Sequence, residues 1–527
     1  MNEAFQNVKE RLLSELLPEG RWEGELSSSA LATAVASFAL KSAGRTELAE
    51  RGFQWLEENR NADGGWGDSP ESPSNFTTTL LCRCVLDKAI GSPQEVADSI
   101  LNHYGDDRTF SVPILTMCML TGKLGRDWAV IPQLPFELAA IPHRFYKVVR
   151  LPVVSYALPA LIAIGLVRHV HRPSTIAFWR NALIPRVLNI LQTIQPESGG
   201  YIEAMPLTGF VAMSLIGAGY GDHPVTRSCI RFLEDTVRDD GSWPIDVNLS
   251  TWVTSLATCA LVNELSEEQK NRIRSYLLKT QWKAIHPFTK AEPGGWAWTH
   301  EQGGVPDADD TSAALLALKS VGCDTAVAEQ GIRWLLNLQN RDGGFPTFCK
   351  GWGRLPFDRS CPDLTAHAIR AFNAWRGEVE SSLWKQMKPS MARAFQYLER
   401  EQRSDGSWVP LWFGNQHNEN HETPVYGTVR VLEALSGMDH PMVKKGFQWL
   451  KRLEMDALCL EELALVTGLT GRGGEQLAKM TSNGTEFPAS PIGLYFASLW
   501  YSEKLYPVIF SAEGFKRCGQ VAGKHRS

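Results

Sequence analysis

The sequence predicts an all-α protein assembled from repeated helical hairpins, and three observations predict it. Apolar residues recur at helical spacing in runs long enough for three or more turns: LATAVASFALKSAG (31–44), TSAALLALKSVG (311–322), DLTAHAIRAFNAW (363–375) and GTVRVLEALSG (427–437). Three of these four stop at Gly, the residue that most easily ends a helix. Long alternating runs of β-branched residues, the mark of half-buried strands, are missing. Finally, the chain repeats itself. RGFQWLEENRNADGGWG (51–67), SCIRFLEDTVRDDGSW (228–243), QGIRWLLNLQNRDGGF (330–345) and ARAFQYLEREQRSDGSW (392–408) each carry an aromatic and a leucine on one helix face, break at Asp-Gly-Gly or Asp-Gly-Ser, and close on Trp or Phe. QPESGGY (195–201) is a degenerate fifth copy.

In each copy the glycines allow the tight turn and the closing aromatic packs back on the helix. Helical hairpins of this kind either stack as a solenoid or close as an α/α barrel. The uneven spacing of the copies argues against a simple array, and a closed barrel encloses an apolar centre.

The composition is that of a globular chain: 43% of the 527 residues are hydrophobic and 21% charged, which excludes a disordered protein. A net charge of −5 gives nucleic acid no reason to bind. The aromatic excess, 18 Trp with 22 Phe and 11 Tyr, suits a cavity walled by π faces as well as a core. Of ten cysteines only Cys82 and Cys84 are close in sequence, and several sit in apolar helical runs. Reduced core thiols in a cytosolic protein are the expectation. The first twenty residues mix acids and bases without an apolar segment, so no signal peptide is expected. The longest apolar stretch, Pro152 to Val167, is too short and too broken by proline for a membrane span, although a face dipping into one leaflet is compatible with it.

The sharpest local feature is Pro306-Asp307-Ala308-Asp309-Asp310-Thr311, just ahead of an apolar helix. One carboxylate there would cap the helix, and the positive helix end would favour the others. Three carboxylates in four residues exceed what a cap needs. Their crowding makes simultaneous ionisation costly, so one proton is retained near neutral pH while the helix dipole keeps it acidic. Upstream, Pro293-Gly294-Gly295-Trp296-Ala297-Trp298 places two indoles on opposite sides of an extended segment, one for the core and one free to face a cavity.

The stretch PGGWAWTHEQGGVPDADDTSAALLAL resembles the catalytic segment of squalene–hopene cyclases, and its D-x-D-D-T signature is shared by class II terpene cyclases. The repeat is similar to the family's QW motif, with good copies at Gln339-Asn340-Arg341-Asp342-Gly343-Gly344-Phe345 and Gln402-Arg403-Ser404-Asp405-Gly406-Ser407-Trp408; the first copy has Arg60 in place of the glutamine. The resemblance runs from about Gly20 onward and is strongest between Trp252 and Ala434. It implies two α/α-barrel-like domains: residues 21–246, then a catalytic domain over 247–527 against which a helix in residues 1–20 packs. It implies that Asp309 is the proton donor, that Asp307 and Asp310 flank and polarise it, and that His367, in Asp363-Leu364-Thr365-Ala366-His367, is its partner. Pocket aromatics carry over to Trp252, Trp298, Phe348, Trp412, Tyr426 and Tyr495.

The chemistry agrees with those residue types. Protonating an alkene makes a tertiary cation that water would destroy, so the site must be dry. Aromatic faces stabilise the cation by on the order of 2 kcal/mol or more each when desolvated. No metal or redox cofactor is needed for that step; Mg2+ would be called for only by a diphosphate substrate. The expected partners are an isoprenoid substrate and a membrane surface bound from one side, at the cytoplasmic face or in the cytoplasm; a homodimer is compatible with this. Three departures bear on the substrate. The chain is shorter than the usual squalene cyclase. Val253 follows Trp252 where the family often has Asp. The region Arg150–Ala157 offers only Tyr156 where the family has a pocket Trp. His143, Arg144, Lys147 and Arg150 form a cationic cluster that would suit a polar head group if it is not simply a solvated helix face. These departures favour a linear isoprenoid other than squalene, with squalene close behind; the resemblance equally admits a bacterial class II diterpene cyclase, a group nearer this length, acting on geranylgeranyl diphosphate.

Two other readings compete. A β-subunit-like protein prenyltransferase would need a zinc site of Asp, Cys and His; the sequence offers only His417 and His421 in a polar loop. A non-catalytic lipid-binding repeat protein would gain nothing from clustered carboxylates.

Overall fold

The computed structural model describes all residues except 1, 105–107, 150, 174–176, 490–492, 494–498 and 525–527. Among the described residues regular structure is helical, with isolated β-bridges only. Two rings of helices are present. In the first, Ala30–Ser42, Phe76–Val85, Arg108–Leu120, Leu158–His171 and Met205–Gly217 pack in succession and the last closes on the first. In the second, Ser250–Leu261, Ala308–Val321, Pro362–Trp375, Pro424–Ala434, Leu460–Thr470 and Tyr506–Lys524 close in the same way. More amphipathic helices, such as Glu267–Thr280 and Ser381–Glu401, pack outside the rings. The inner helices are apolar on nearly all sides because they are covered on both faces, as Leu256, Leu315, Leu318 and Val429 illustrate by their burial. The broken apolar stretch is a short 3-10 turn, Pro152–Ala157, followed by the ring helix Leu158–His171.

Each ring has its own core. Ala4, Val8 and Leu12 of the first helix, Asn2–Ser14, join the core of the second ring and pack on Tyr506–Lys524. Phe288 and Val305, although they follow the second ring's first helix, join the core of the first ring.

The repeat is a joint between an outer helix and the next inner one. Trp66, Tyr201, Trp243, Phe345 and Trp408 are all fully buried. The Trp408 indole donates to the Leu398 carbonyl at 2.7 Å, and Trp66 and Trp243 do the same to Leu56 and Leu233 at 2.7 and 2.9 Å. The backbone N–H of each closing aromatic donates to a threonine hydroxyl on an inner helix: Trp66 to Thr79, Tyr201 to Thr208, Trp243 to Thr33, Phe345 to Thr365 and Trp408 to Thr428, all at 2.9–3.0 Å. Two further joints have the same bonds without the full sequence pattern. Trp22 N–H donates to Thr254 at 2.9 Å and Trp296 N–H to Thr311 at 3.0 Å. The glutamine clamps the turn: Gln339 Nε2 donates to Gly343 O and Ser390 O, and Gln402 Nε2 to Gly406 O and Met442 O, at 2.8–2.9 Å. Glycine is required at 343 and 406, where φ is +94° and +103° and a Cβ would lie 2.4 and 2.7 Å from the next outer helix's carbonyls.

Candidate active site

The joints fix the site. Thr254, Thr311, Thr365 and Thr428 lie in the first turns of four adjacent inner helices, each anchored to its aromatic. Two residues before these threonines stand Trp252, Asp309, Asp363 and Tyr426; two residues after them stand Leu256, Ala313, His367 and Arg430. All eight line one cavity, which holds about 490 Å³ of unfilled space measured out to its mouth. One turn deeper the wall continues with Cys259, Leu316 and Arg370, and Glu513 of the Tyr506–Lys524 helix completes it. Residues four and seven apart share a helix face, so every joint aims the same ladder of positions at the barrel axis.

At the mouth of the acid helix Asp307 is the N-cap: its carboxylate accepts from Asp310 N–H at 2.8 Å. Its own N–H donates to Trp296 O at 3.0 Å, and Ala308 N–H to Thr347 O at 2.8 Å. Burial pushes Asp307 up to about 7, against hydrogen bonds that pull it down. Asp310, buried with Oδ1 lacking a hydrogen-bond partner, is pushed well above the usual carboxylate range, by burial first and then by the charge of Asp307. Asp310 is therefore the protonated member of the pair and donates to Asp307.

Asp309 points the other way. Its Oδ1 lies 2.5 Å from His367 Nδ1, and the two side chains are only 15% and 11% exposed. Burial holds the imidazole below its ordinary value; the Asp309 carboxylate opposes this, while Arg370 and Arg430 add to it. Trp252 packs edge-on against the imidazole with ring centres 6.1 Å apart. Asp363, one turn before His367, is raised to about 7 by burial and then by the charge of Asp309, and takes the Cys361 thiol at 2.5 Å. Deeper still, Arg370 and Arg430 both bind Glu433 Oε2 at 3.0 Å, and Arg430 lies over the rings of Tyr426 and Phe510 at 5.2 and 5.5 Å.

The structure thus brings Trp252, Asp309, His367 and Tyr426 into one cavity. It places Trp298, Phe348 and Trp412 in a second, adjoining aromatic group. Phe348 is its centre, 6.3 Å from Trp298, 5.5 Å from Trp412, 5.4 Å from Tyr156 and 5.8 Å from Phe357. The backbone joins the two groups, since Thr251 N–H and Trp252 N–H both donate to Trp298 O at 2.9 and 3.2 Å. Tyr495 and Arg150 lie outside the described residues. Sequence reasoning missed Arg370, Arg430, Glu513 and Phe357. The two arginines were within reach: Asp363, His367 and Arg370 run at i, i+4 and i+7, and Arg430 is one turn after Tyr426. Glu513 carried no sequence signal. Among the described residues no three His, Cys, Asp or Glu side chains are placed to hold a metal ion, and His421 packs edge-on to Trp500 with centres 5.3 Å apart.

The sequence matches the family models of the squalene-hopene cyclase N-terminal domain over residues 5–157 and of the squalene-hopene cyclase C-terminal domain over residues 248–457. Enfumafungin synthase of Hormonema carpetanum is 23% identical over 88% of this chain, which spans only 41% of that protein. A squalene hopane cyclase of Aspergillus fumigatus is 23% identical over 84% of this chain and 75% of its own length. The squalene–hopene cyclase of Alicyclobacillus acidocaldarius is 24% identical over 81% of this chain and 77% of its own. In fold the chain is similar to the ent-copalyl diphosphate synthase of Streptomyces platensis, with a TM-score of 0.56 at 16% identity over 98% of this chain and 99% of that one.

Proposed function

The chain belongs to the squalene–hopene cyclase family, and from that premise we propose that it is a class II terpene cyclase in which Asp309 protonates a terminal alkene of a linear isoprenoid. The observation that carries the reading is the 2.5 Å contact between Asp309 and His367 in a cavity walled by Trp252 and Tyr426. With Nδ1–H donating to Oδ1, the acid proton sits on Oδ2. That O–H adds to the less substituted alkene carbon, a C–H bond forms, and a tertiary cation is left on the neighbouring carbon. Each following π bond attacks the cation before it, making one C–C bond and passing the charge along the folded chain. The last cation loses a proton or takes water. Asp309 is left as a carboxylate, stabilised by His367, and regains a proton from solvent through the polar depth of the cavity. The neighbouring pair holds the start of the acid helix: Asp310 keeps its proton and Asp307 caps the helix.

For the substrate we favour an isoprenoid with a polar head, recognised by Arg144, which is exposed on the helix His143–Val148. Lys147 of the same helix is already paired with Glu292 at 2.7 Å, and that pair favours squalene as the second reading. We further propose that the substrate is drawn from a lipid surface. Phe145, Val148 and Trp352 are 53%, 81% and 56% exposed, and they are neighbours, because the Trp352 indole donates to Val149 O at 3.1 Å. No helix among the described residues is long and apolar enough to cross a membrane.

The test is product analysis. Purified protein incubated with squalene, geranylgeranyl diphosphate and a geranylgeranylated aromatic acid should cyclise at least one of them. Asp309→Asn should abolish turnover with the fold intact, because an amide has no proton acidic enough for an alkene, and His367→Ala should be severe but less absolute. Asp309→Asn turnover near wild type would sink the assignment.

A further inference from the structure

The polar depth of the cavity holds a charged group that the cyclisation itself does not use. Arg370 stands one turn below His367 on its own helix, and Arg430 one turn below Tyr426 on the next. Both line the cavity that holds Asp309 and His367. Neither is free to move: Glu433 Oε2 receives both guanidinium groups at 3.0 Å, and Arg430, 8% exposed, is also held over Tyr426 and Phe510. A surface salt bridge would be screened and adaptable. Here Glu433 and Arg430 are buried and Arg370 is a quarter exposed, and the cluster costs desolvation that apolar residues would avoid.

We propose that Arg370 and Arg430, locked together on Glu433, are positioning residues for the acid proton, holding it on Asp309 rather than on His367. Within the pair one proton has two homes. It sits on Asp309 Oδ2 with a neutral imidazole, or on His367 Nε2 with an Asp309 carboxylate. The first form protonates an alkene; the second does not. Fixed positive charge beside the imidazole disfavours the second form, and the depressed basicity of His367 has both arginines among its causes. The other groups around His367 divide by sign. Asp309, Asp307 and Asp310 come from the acid helix and Asp363 from its own helix; Glu433 and Tyr426 come from the next helix, Cys259 from the Ser250–Leu261 helix and Glu513 from the Tyr506–Lys524 helix. Asp310, well above the usual carboxylate range, keeps its proton, while Asp307 and Asp363, at about 7, are part-ionised near neutral pH. The arginines are the cations that offset Asp309, Glu433 and Glu513.

The inference rests on the proposed acid role of Asp309, and its test uses two variants of opposite sign. Arg430→Met removes a cation from the cavity, and Glu433→Gln removes the anion that partly neutralises both. Two readouts apply to each: the pH–rate profile, and the titration of His367 in 13Cε1-histidine-labelled protein, with His367→Ala to assign its signal. Arg430→Met should move the His367 titration, and the limb of the profile that His367 sets, upward by on the order of one pH unit. It should also lower kcat, because His367 gains basicity when the cation beside it is removed and competes better for the proton. Glu433→Gln should move them downward, and Arg430→Lys should keep the wild-type profile. Should Arg430→Met fail to fold, Arg370→Met supplies the same sign. A merely structural triad would let both variants lose activity without moving the titration, or shift it the same way, and either result overturns the proposal. Because the titration needs no substrate, it separates this failure from that of the acid assignment, which Asp309→Asn decides.

Discussion

Thr365→Val isolates what the joint contributes. The hydroxyl accepts from Phe345 N–H at 2.9 Å and donates to Cys361 O at 2.7 Å, and the residue is fully buried. Valine has nearly the same shape, so no cavity forms and the loss is polar. The carbonyl of Cys361 begins a helix and has Thr365 N–H at 3.0 Å as a second partner. The Phe345 N–H has none, and a buried unsatisfied donor costs about 1–3 kcal/mol. His367 follows two residues later and its contact with Asp309 spans only 2.5 Å. A helix start that relaxes to rehydrate the Phe345 N–H therefore displaces the acid's partner, and a displacement of about 1 Å costs on the order of a hundredfold in rate. Turnover should fall further than stability does. Thr365→Ser, which restores both bonds and lacks only a methyl, should recover most of each. The measurements are thermal midpoint at a fixed scan rate, urea unfolding by tryptophan fluorescence, and kcat on whichever substrate is cyclised. Valine matching wild type in both, or serine matching valine, would refute the reasoning that the hydroxyl, rather than the methyl, ties the turn to the helix.

Two further outcomes follow from the same geometry. Asp363 is held at about 7 by burial, above its unfolded value; with a raised folded value, its contribution to stability is full below the unfolded carboxylate range and is lost as pH rises through about 7. Asp363→Asn should therefore raise the thermal midpoint relative to wild type more at pH 8 than at pH 5, and an equal change at both would show that ionisation is not the cause. Val148→Glu and Trp352→Glu, each placing a charge on the exposed apolar neighbours at the His143–Val148 helix, should lower co-sedimentation with phospholipid vesicles several-fold while leaving the fold intact; unchanged sedimentation would remove that face from consideration.

The sequence made the helical class legible because apolar periodicity, glycine stops and the repeated turn all point the same way. It made Asp307, Asp309, Asp310 and His367 legible because the acid run exceeds what a cap needs and the histidine stands in a matching context. The joints at Trp22 and Trp296 were hidden: their bonds to Thr254 and Thr311 are the repeat's own, but PEGRW has no glutamine, and the Trp296 indole reaches back to Leu277, nineteen residues before it rather than ten. The split of the aromatics was hidden too. Trp252 and Trp298 look alike in sequence as cavity candidates, yet one sits on an inner helix and the other on the extended segment before the acids, so they face different spaces. The place of Arg430 one turn after Tyr426 was readable, but its company was not, since only the closing of the ring brings it near Glu513 and into the cavity of His367.

The arrangement explains how one scaffold tolerates changes of chemistry. The residues that hold a joint together (the aromatic, the glutamine, the glycine with positive φ and the threonine) spend their polar groups on one another and present nothing to the cavity. The cavity is lined instead mostly by the positions two before and two after the threonines, and by Cys259, Leu316 and Arg370 five after, which take no part in those bonds. Tryptophan, aspartate and tyrosine can therefore stand at one equivalent place on adjacent helices, and leucine, alanine, histidine and arginine at another. Changing such a position leaves the joint's own hydrogen bonds intact, and a new polar group needs a partner across the axis. Asp309 finds His367, and Arg430 finds Glu433. Chemistry on this scaffold is thus a matter of pairing across the ring.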